Sequence, residues 1–357
     1  MARVNVTKVF LPPIDEYKRY IDGIWARDQL TNQGPLLLEL EEKLKLKLEL
    51  NNLHFVTNGT LALQIAIKAL ELGEGEVITT PFSYVATVSS ILWEGLTPVF
   101  VDIEPNTFCI DASKIEAAIT SKTKAIMAVH VFGYPCDVEK IKAIADKHKL
   151  KVIYDGAHAF GVTYKGKSLL SYGDVSVCSF HATKLFHTIE GGAIITNDKL
   201  LSDKVELIKR FGHNGDDHYI LGINAKASEF QAAMGLCNLK YIDSIIDKRK
   251  KAFGLYDQLI PKEFKRPILS DQTEYNYSYY PTVLKDGRAL TDKMAEFSNE
   301  DIYPRRYFYP SLNTLPYLDS TQKCEVSEDI ASRIICLPMY TDMATETIER
   351  ICEVMRR

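Results

Sequence analysis

At 357 residues, with 46% hydrophobic and 25% charged side chains, the chain has the composition of a globular protein large enough for one big domain and a smaller companion. Its net charge of −4 lacks the basic excess that nucleic acid or an anionic membrane surface would need, so neither is expected as a partner. Seven cysteines without a Cys-x-x-Cys pair, a first ten residues without a signal-peptide core, and no apolar run near the ~20 residues of a spanning helix predict a cytoplasmic protein with reduced thiols.

Residues 1–13 read as an extended arm ending in Pro12-Pro13. A large α/β domain is expected over 14–240 and a smaller α+β domain over 241–357. Ile14, Tyr17, Ile21, Ile24 and Trp25 give helical spacing over 15–26. A turn-rich break at 31–35 leads into a periodic helix over 36–50. From residue 54 strands and helices alternate: strands at 54–57, 77–80, 97–101, 125–129 and 151–154, helices at 61–70, from 81–87 onward, at 111–119 and at 138–148. That alternation implies a mostly parallel sheet with helices on both faces, whose sites lie beyond the carboxyl ends of its strands. Two further strands follow at 175–180 and 193–196, then a helical run to Arg210 and a polar, glycine-broken loop at 211–215. One long helix is predicted over 228–255, and its charge run 247–251 reads as a solvated face. The remainder reads as strands at 277–284 and near 302–303, a helix at 291–298, and a closing helix at 345–355. There is no internal repeat, metal-ligand cluster or nucleophile elbow.

The chemistry concentrates between residues 175 and 197. Lys184 lies on a polar loop with Ser179, His181, Thr183 and His187, ahead of Gly191-Gly192. Most lysines are ordinary surface residues. One confined at a strand end is instead placed to form a Schiff base with a carbonyl cofactor. Asp155, at the end of an apolar strand and 29 positions earlier, favours the second reading. Pyridoxal 5'-phosphate needs a lysine for its aldehyde, a carboxylate for its ring nitrogen and a cradle for its phosphate. Gly59 and Thr60 after Asn58 offer that cradle, because a helix start presents free N–H groups and a partial positive charge. Taken alone, this turn reads better as a plain N-cap by Thr57 or Asn58.

The run Ser-Phe-His-Ala-Thr-Lys at 179–184, Glu-Gly-Gly at 190–192, Asn-Gly-Thr at 58–60 and Asn-Ala-Lys-Ala-Ser-Glu-Phe-Gln-Ala-Ala at 224–233 resemble the DegT/StrS family of nucleotide-sugar aminotransferases, over nearly the whole chain. The resemblance implies the aspartate aminotransferase fold (fold type I), a pyridoxal phosphate cofactor that cycles through its pyridoxamine form, and a homodimer with active sites at the subunit interface. On that basis Lys184 holds the cofactor and, once freed, moves protons, while Asp155 pairs with the ring nitrogen. His158 meets the phenolic oxygen and Tyr84 stacks on the ring, although Tyr84 also fits a core tyrosine. Gly59, Thr60 and Ser179 contact the phosphate, and Asn224 reaches it from the partner subunit. His181 flanks the reacting carbon, and the segment 30–35 borders the site. His130 matches a family histidine but reads as structural, and Lys226 stands where many relatives carry arginine.

Arg305 and Arg306 with the three rings of Tyr307, Phe308 and Tyr309 form a basic-aromatic loop that suits a diphosphate and a sugar or base, and equally a packed loop with surface arginines. The resemblance further implies L-glutamate as amino donor and a dTDP-linked keto-6-deoxyhexose as acceptor, serving surface glycan (O-antigen or lipopolysaccharide) synthesis. His-x-x-Lys followed by Glu-Gly-Gly favours amination at C-4. Relatives acting at C-3 more often show Tyr-Pro-Gly-Lys and Asp-Gly-Gly, and a 3-keto substrate stays the alternative. A non-catalytic protein or a dehydratase of the same fold would lack the lysine, and a nicotinamide enzyme would need a Gly-x-Gly-x-x-Gly turn, which is absent.

Overall fold

The computed structural model describes residues 3–318 and 322–357; the first two residues of the expected arm lie outside them. A seven-stranded sheet runs Asn52–Val56, Gly192–Thr196, Val175–Ser179, Lys151–Asp155, Thr123–Val129, Glu76–Thr79, Thr97–Phe100 in spatial order. All neighbours are parallel except Gly192–Thr196, which is antiparallel to both strands beside it. The exception follows from the loop 180–191. It carries no helix to make a crossover, so the chain turns back beside the strand it has just left.

Both faces of the sheet are covered, and successive residues go to opposite sides. Ala125 and Met127 pack with the helices Gly59–Ala69 and Lys199–Ile208, whereas Ile126 and Ala128 join a larger core that includes Leu40, Ile141 and Leu236. All seven cysteines are free and buried, behaving as small apolar residues. Among the described residues no helix is long and apolar enough to cross a membrane, and no cluster of His, Cys, Asp and Glu could hold a metal ion.

The C-terminal region is built on a two-stranded ladder, Tyr280–Val283 antiparallel to Ile334–Leu337. The helices Ile242–Leu259, Gly287–Asn299 and Thr345–Arg356 pack around it. Several features depart from the expectations. The charge run 247–251 is not wholly a solvated face: Arg249 is buried and donates to the Ser278 and Met339 carbonyls at 3.1 and 3.3 Å. The arm is a strand in its own right: Val4–Asn5 pairs in parallel with Ile302–Tyr303, and Val6 accepts from the Met339 N–H at 2.9 Å. The long helix expected over 228–255 is two, Glu229–Leu239 and Ile242–Leu259. At the break, the Lys240 and Tyr241 side chains both reach the carboxylate of Glu16 on the first helix. An additional helix, Glu325–Arg333, starts on the carboxylate of Asp102, which accepts the N–H groups of Val326 and Ser327 at 2.9 Å each.

One buried carboxylate organises the start of the helix Pro35–Leu48. Glu229 is fully buried and accepts from the N–H groups of Leu36 (3.1 Å) and Leu37 (2.9 Å), two of the donors a helix start leaves unpaired. A Cβ at Gly34 would come within 2.4 Å of the same carboxylate, so the preceding turn needs a glycine there. Glu229→Ala should therefore cost about 2–4 kcal/mol, from two orphaned N–H groups and the lost packing, read as a lowered midpoint in denaturant titration.

Candidate active site

Three strand ends meet along one edge of the sheet. Asp155 pairs in register with Val177 on the strand that ends at Ser179, and Ser179 pairs with Gly192, itself opposite Val56. The turn after Val56 opens the helix Gly59–Ala69. The carboxylate, the Ser179 hydroxyl and a helix N-terminus thus share one wall of a cavity of about 340 Å³. Asn58 caps the helix, its Oδ1 accepting from Leu61 N–H at 2.9 Å while its carbonyl takes Ala62 N–H at 3.2 Å. Gly59 and Thr60, the first two residues of that helix, line the cavity. A Cβ at Gly59 would sit 3.2 Å from Ser179 Cβ, and one at Gly192 would sit 2.7 Å from the Asn58 carbonyl carbon. The two glycines let the turn, the serine strand and its neighbour close up into an anion cradle.

Asp155 is 6% exposed, and its two oxygens are fixed from opposite sides. Oδ2 accepts from the Thr87 hydroxyl at 2.8 Å and Oδ1 from the Ala157 N–H at 3.1 Å; Ser83 in turn contacts Thr87 at 2.7 Å. Burial raises its pKa, while the Thr87 and Ala157 hydrogen bonds and the nearby Lys184 charge lower it. Lys184 is held by the loop, its N–H donating to the His181 carbonyl at 2.8 Å. Burial pushes its ammonium below the ordinary lysine range, and the Asp155 carboxylate pulls it partly back. The two residues therefore oppose each other's desolvation across the cavity.

His158 is buried, and its Nδ1 accepts from the Phe132 N–H at 3.1 Å. Burial first, and the Lys184 charge second, push its pKa well down, so the ring is neutral with its proton on Nε2. Phe132, Phe308 and His158 lie in nearly parallel planes, and Tyr279 leans on His158 at 4.5 Å between centroids. That stack fixes the imidazole plane and joins it to the C-terminal region.

The sequence expectations divide on this geometry. Gly59, Thr60, Tyr84, Asp155, His158, Ser179, His181, Lys184 and Arg305 all line the cavity. Tyr84 is 63% exposed and lies at the wall, not in the core. Arg306 does not line it: its guanidinium donates to the Ala331 and Ser332 carbonyls at 3.4 and 3.3 Å, at the end of the helix Glu325–Arg333, and lies 3.4 Å from the Tyr309 ring centroid. Tyr309 is 55% exposed and sits on that guanidinium, outside the lining. Asn224 is exposed and outside its own cavity, and Arg210 bridges to it. His187 leaves the lysine loop for the interior, where Nε2 contacts the Phe10 carbonyl at 2.7 Å. His130 is fully buried and stacks on Tyr154, as a structural residue would. Sequence reasoning missed Thr87 and Tyr279, whose roles depend on contacts between distant segments, whereas Glu190 of the Glu-Gly-Gly motif and Tyr307 and Phe308 of the basic-aromatic loop line the cavity as well.

The model of the DegT/DnrJ/EryC1/StrS aminotransferase family matches residues 14–356. The chain belongs to that family. It is 43% identical over 361 residues to the dTDP-4-amino-4,6-dideoxy-D-glucose transaminase of Shigella dysenteriae, covering 99% of this chain and 98% of that one. Its identity to the Escherichia coli protein of the same name is 40% over 366 residues, with the same coverage. Among solved structures, DesI in the presence of its TDP-sugar product superposes with a TM-score of 0.92 at 30% identity, covering 99% of this chain and 92% of that one. As a DegT-family member this chain is an aminotransferase of fold type I, and the family implies dependence on pyridoxal phosphate.

The residues present fit that group. A helix-start cradle with two hydroxyls suits a phosphate, a buried carboxylate suits a protonated ring nitrogen, and a confined amine suits an aldehyde. Because burial lowers the Lys184 pKa and Asp155 raises it, the amine should be acylated by an amine-directed reagent at a pH where exposed lysines stay protonated. Asp155→Asn removes the opposing charge and should move that profile to still lower pH, as read by peptide mass spectrometry. A Lys184 profile matching the surface lysines would contradict the assignment.

Proposed function

We propose that this family member transfers an amino group from L-glutamate to a dTDP-linked 4-keto-6-deoxyglucose, giving the 4-amino sugar for surface glycan assembly in the cytoplasm. The observation that carries the reading is Lys184, Asp155 and the Asn58–Thr60 turn around one cavity, in a chain over 40% identical along its length to a dTDP-4-amino-4,6-dideoxy-D-glucose transaminase. His181 three positions before Lys184 and the Glu190-Gly191-Gly192 turn support C-4 over C-3, and the dTDP-3-keto sugar is the alternative acceptor.

Pyridoxal phosphate, when bound, supplies the aldehyde that carries the amino group and a ring that accepts electrons from the reacting carbon. Gly59, Thr60 and Ser179 would take the phosphate, and Tyr84 would lie against the ring face. Asp155, held by Thr87 and Ala157, would accept from the ring nitrogen and keep it protonated. The His158 Nε2–H is the donor available to the phenolic oxygen. Lys184 Nζ, shifted towards the free amine, would take the proton from the donor's amino-bearing carbon and return one at the sugar carbon. Arg305 is the cation at the outer part of the cavity, suited to the diphosphate.

A homodimer completes the site in this reading. Asn224 is exposed and away from its own cavity, and the preceding segment exposes Phe211 (49%), Tyr219 (60%) and Leu221 (74%). An apolar patch beside a polar site residue suits a twofold interface that delivers the partner subunit's Asn224 to the phosphate. An arm (1–13), a large domain (14–240) and a small domain (241–357) frame the arrangement.

Side-by-side assays with glutamate and synthetic dTDP-4-keto-6-deoxyglucose or its 3-keto isomer should show turnover of the 4-keto sugar, and exclusive use of the 3-keto sugar would reverse the assignment. Lys184→Ala should lower turnover on the order of a thousandfold or more. Asn224→Ala should weaken cofactor retention in equilibrium dialysis while leaving the dimer intact, and unchanged retention would remove the shared site.

A further inference from the structure

Ser83 and Thr87 are two hydroxyls buried beside the cavity, at 3% and 0% exposure. Ser83 lies in the turn after the strand Glu76–Thr79, and Thr87 in the first turn of the helix Ala86–Trp93. That turn has little freedom. Phe82 is fully buried and meets the rings of Phe108, Phe132 and Phe308 edge-on, and the Pro81 carbonyl accepts from the Leu312 N–H at 2.8 Å. A buried hydroxyl in a helix ordinarily turns back to a carbonyl three or four residues earlier. Ser90 does this, donating to the Thr87 carbonyl at 2.9 Å. Thr87 does not: its hydroxyl leaves the helix and donates to Asp155 Oδ2, 68 positions away, at 2.8 Å.

The direction of the chain follows from counting protons. A carboxylate only accepts, so the single Thr87 proton is committed to Oδ2. The 2.7 Å contact between Ser83 and Thr87 then has one donor left, the Ser83 hydroxyl. Protons therefore point from Ser83 through Thr87 to Asp155, the arrangement in which each hydrogen bond strengthens the next. Among the described residues Thr87 is the only side chain that donates to Oδ2, while the Ala157 N–H at 3.1 Å holds Oδ1. Burial raises the Asp155 pKa, and the Thr87 hydrogen bond is the largest effect opposing it. The other titratable groups facing the carboxylate are Lys184 and, on the neighbouring strand, Cys178, whose thiol burial pushes up to about 12.

We propose that Thr87, backed by Ser83, is the positioning residue for Asp155: its hydroxyl holds Oδ2 as a charged acceptor and so keeps the proton shared with the cofactor on the ring nitrogen. This rests on the reading of Asp155 as the partner of that nitrogen. Thr87 acts only through the carboxylate and touches none of the reacting atoms. A valine at 87 would fill the same space without a donor. The shared proton would then move towards the carboxyl, and the ring would accept electrons less well.

The test reads the ring nitrogen directly, by nitrogen NMR of the enzyme loaded with isotopically labelled pyridoxal phosphate at neutral pH. Wild type should show a protonated nitrogen and Asp155→Asn a neutral one, which sets the two ends of the scale. Thr87→Val should lie between them, with turnover slowed roughly ten- to a hundredfold. Thr87→Ser restores the donor and should return close to wild type. Ser83→Ala should move the resonance in the same direction as Thr87→Val by a smaller step. Loss of packing alone would lower the denaturant midpoint and slow turnover without moving the resonance. A Thr87→Val resonance at the wild-type position, no recovery by serine, or an unmoved Ser83→Ala would each overturn the proposal. If the valine variant does not fold, Ser83→Ala, which keeps the Thr87 donor, decides. A neutral nitrogen in the wild type would overturn the Asp155 reading and this proposal with it, and is seen before any variant is made.

Discussion

The site depends on strand register. Asp155 lies beside Val177, two residues before Ser179, and Ser179 lies beside Gly192 at the end of the lysine loop. A slip of one residue would turn Asp155 to the opposite face and leave a carboxylate in the apolar core. Burial on both faces of the sheet forbids such a slip, since it would also reverse Ile153, Val175 and Val177. The sheet core thus fixes the separation of an amine and a carboxylate that each lose solvation where they sit. Each is shifted towards its neutral form by burial, and each draws the other back. This opposition leaves the carboxyl above and the amine below its ordinary range, each less far than burial alone would take it.

Around that axis, several residues that look like site residues in the sequence turn out to be scaffolding for the loop carrying Lys184. Glu229 and Gln231, adjacent members of one motif, work at two separate places. The first receives the start of the helix Pro35–Leu48, and the second closes the capping box with Ser228 and reaches the Glu190 carbonyl. His187 leaves the loop to hold the N-terminal arm through the Phe10 carbonyl, and the arm in turn joins the C-terminal region by pairing with Ile302–Tyr303. The loop is therefore anchored to the helix Glu229–Leu239 and to the N-terminal arm, which limits how far Lys184 can wander.

What was legible in the sequence is what local pattern encodes. Lys184, Asp155 and the Asn58–Thr60 turn each sit at the end of an apolar strand, and the alternation of elements places such ends along one edge. Pattern could not tell two similar aspartates apart: the strand Thr97–Phe100 also runs out into an aspartate, but Asp102 caps the helix Glu325–Arg333 more than 220 positions away. Nor could it separate Arg305 from Arg306, neighbours whose side chains go to the cavity and to a helix end. Thr87 was invisible for the same reason, since its role is a hydrogen bond across 68 positions. The break at Lys240–Tyr241 was hidden because both residues sit comfortably in a helix, and only the pull of Glu16 distinguishes them.

The two ends of the cavity are built to different standards. At the cradle end, a Cβ at Gly192 would collide with the Asn58 backbone and one at Gly59 would crowd Ser179, and Asp155 is held by two donors on a buried strand end. At the outer end the lining comes from loops: Arg305, Tyr307 and Phe308 from the C-terminal region and His181 and Glu190 from the lysine loop, with His181 and Glu190 about half exposed. Change at the first end would disturb the sheet itself, whereas His181 and Glu190 at the second are half-exposed loop side chains; Phe308, stacked on His158 and Phe132, is the exception. A fold made this way can keep one proton-transfer apparatus constant while its outer loops are altered to accept different sugars, because the constraints on the two ends share few residues.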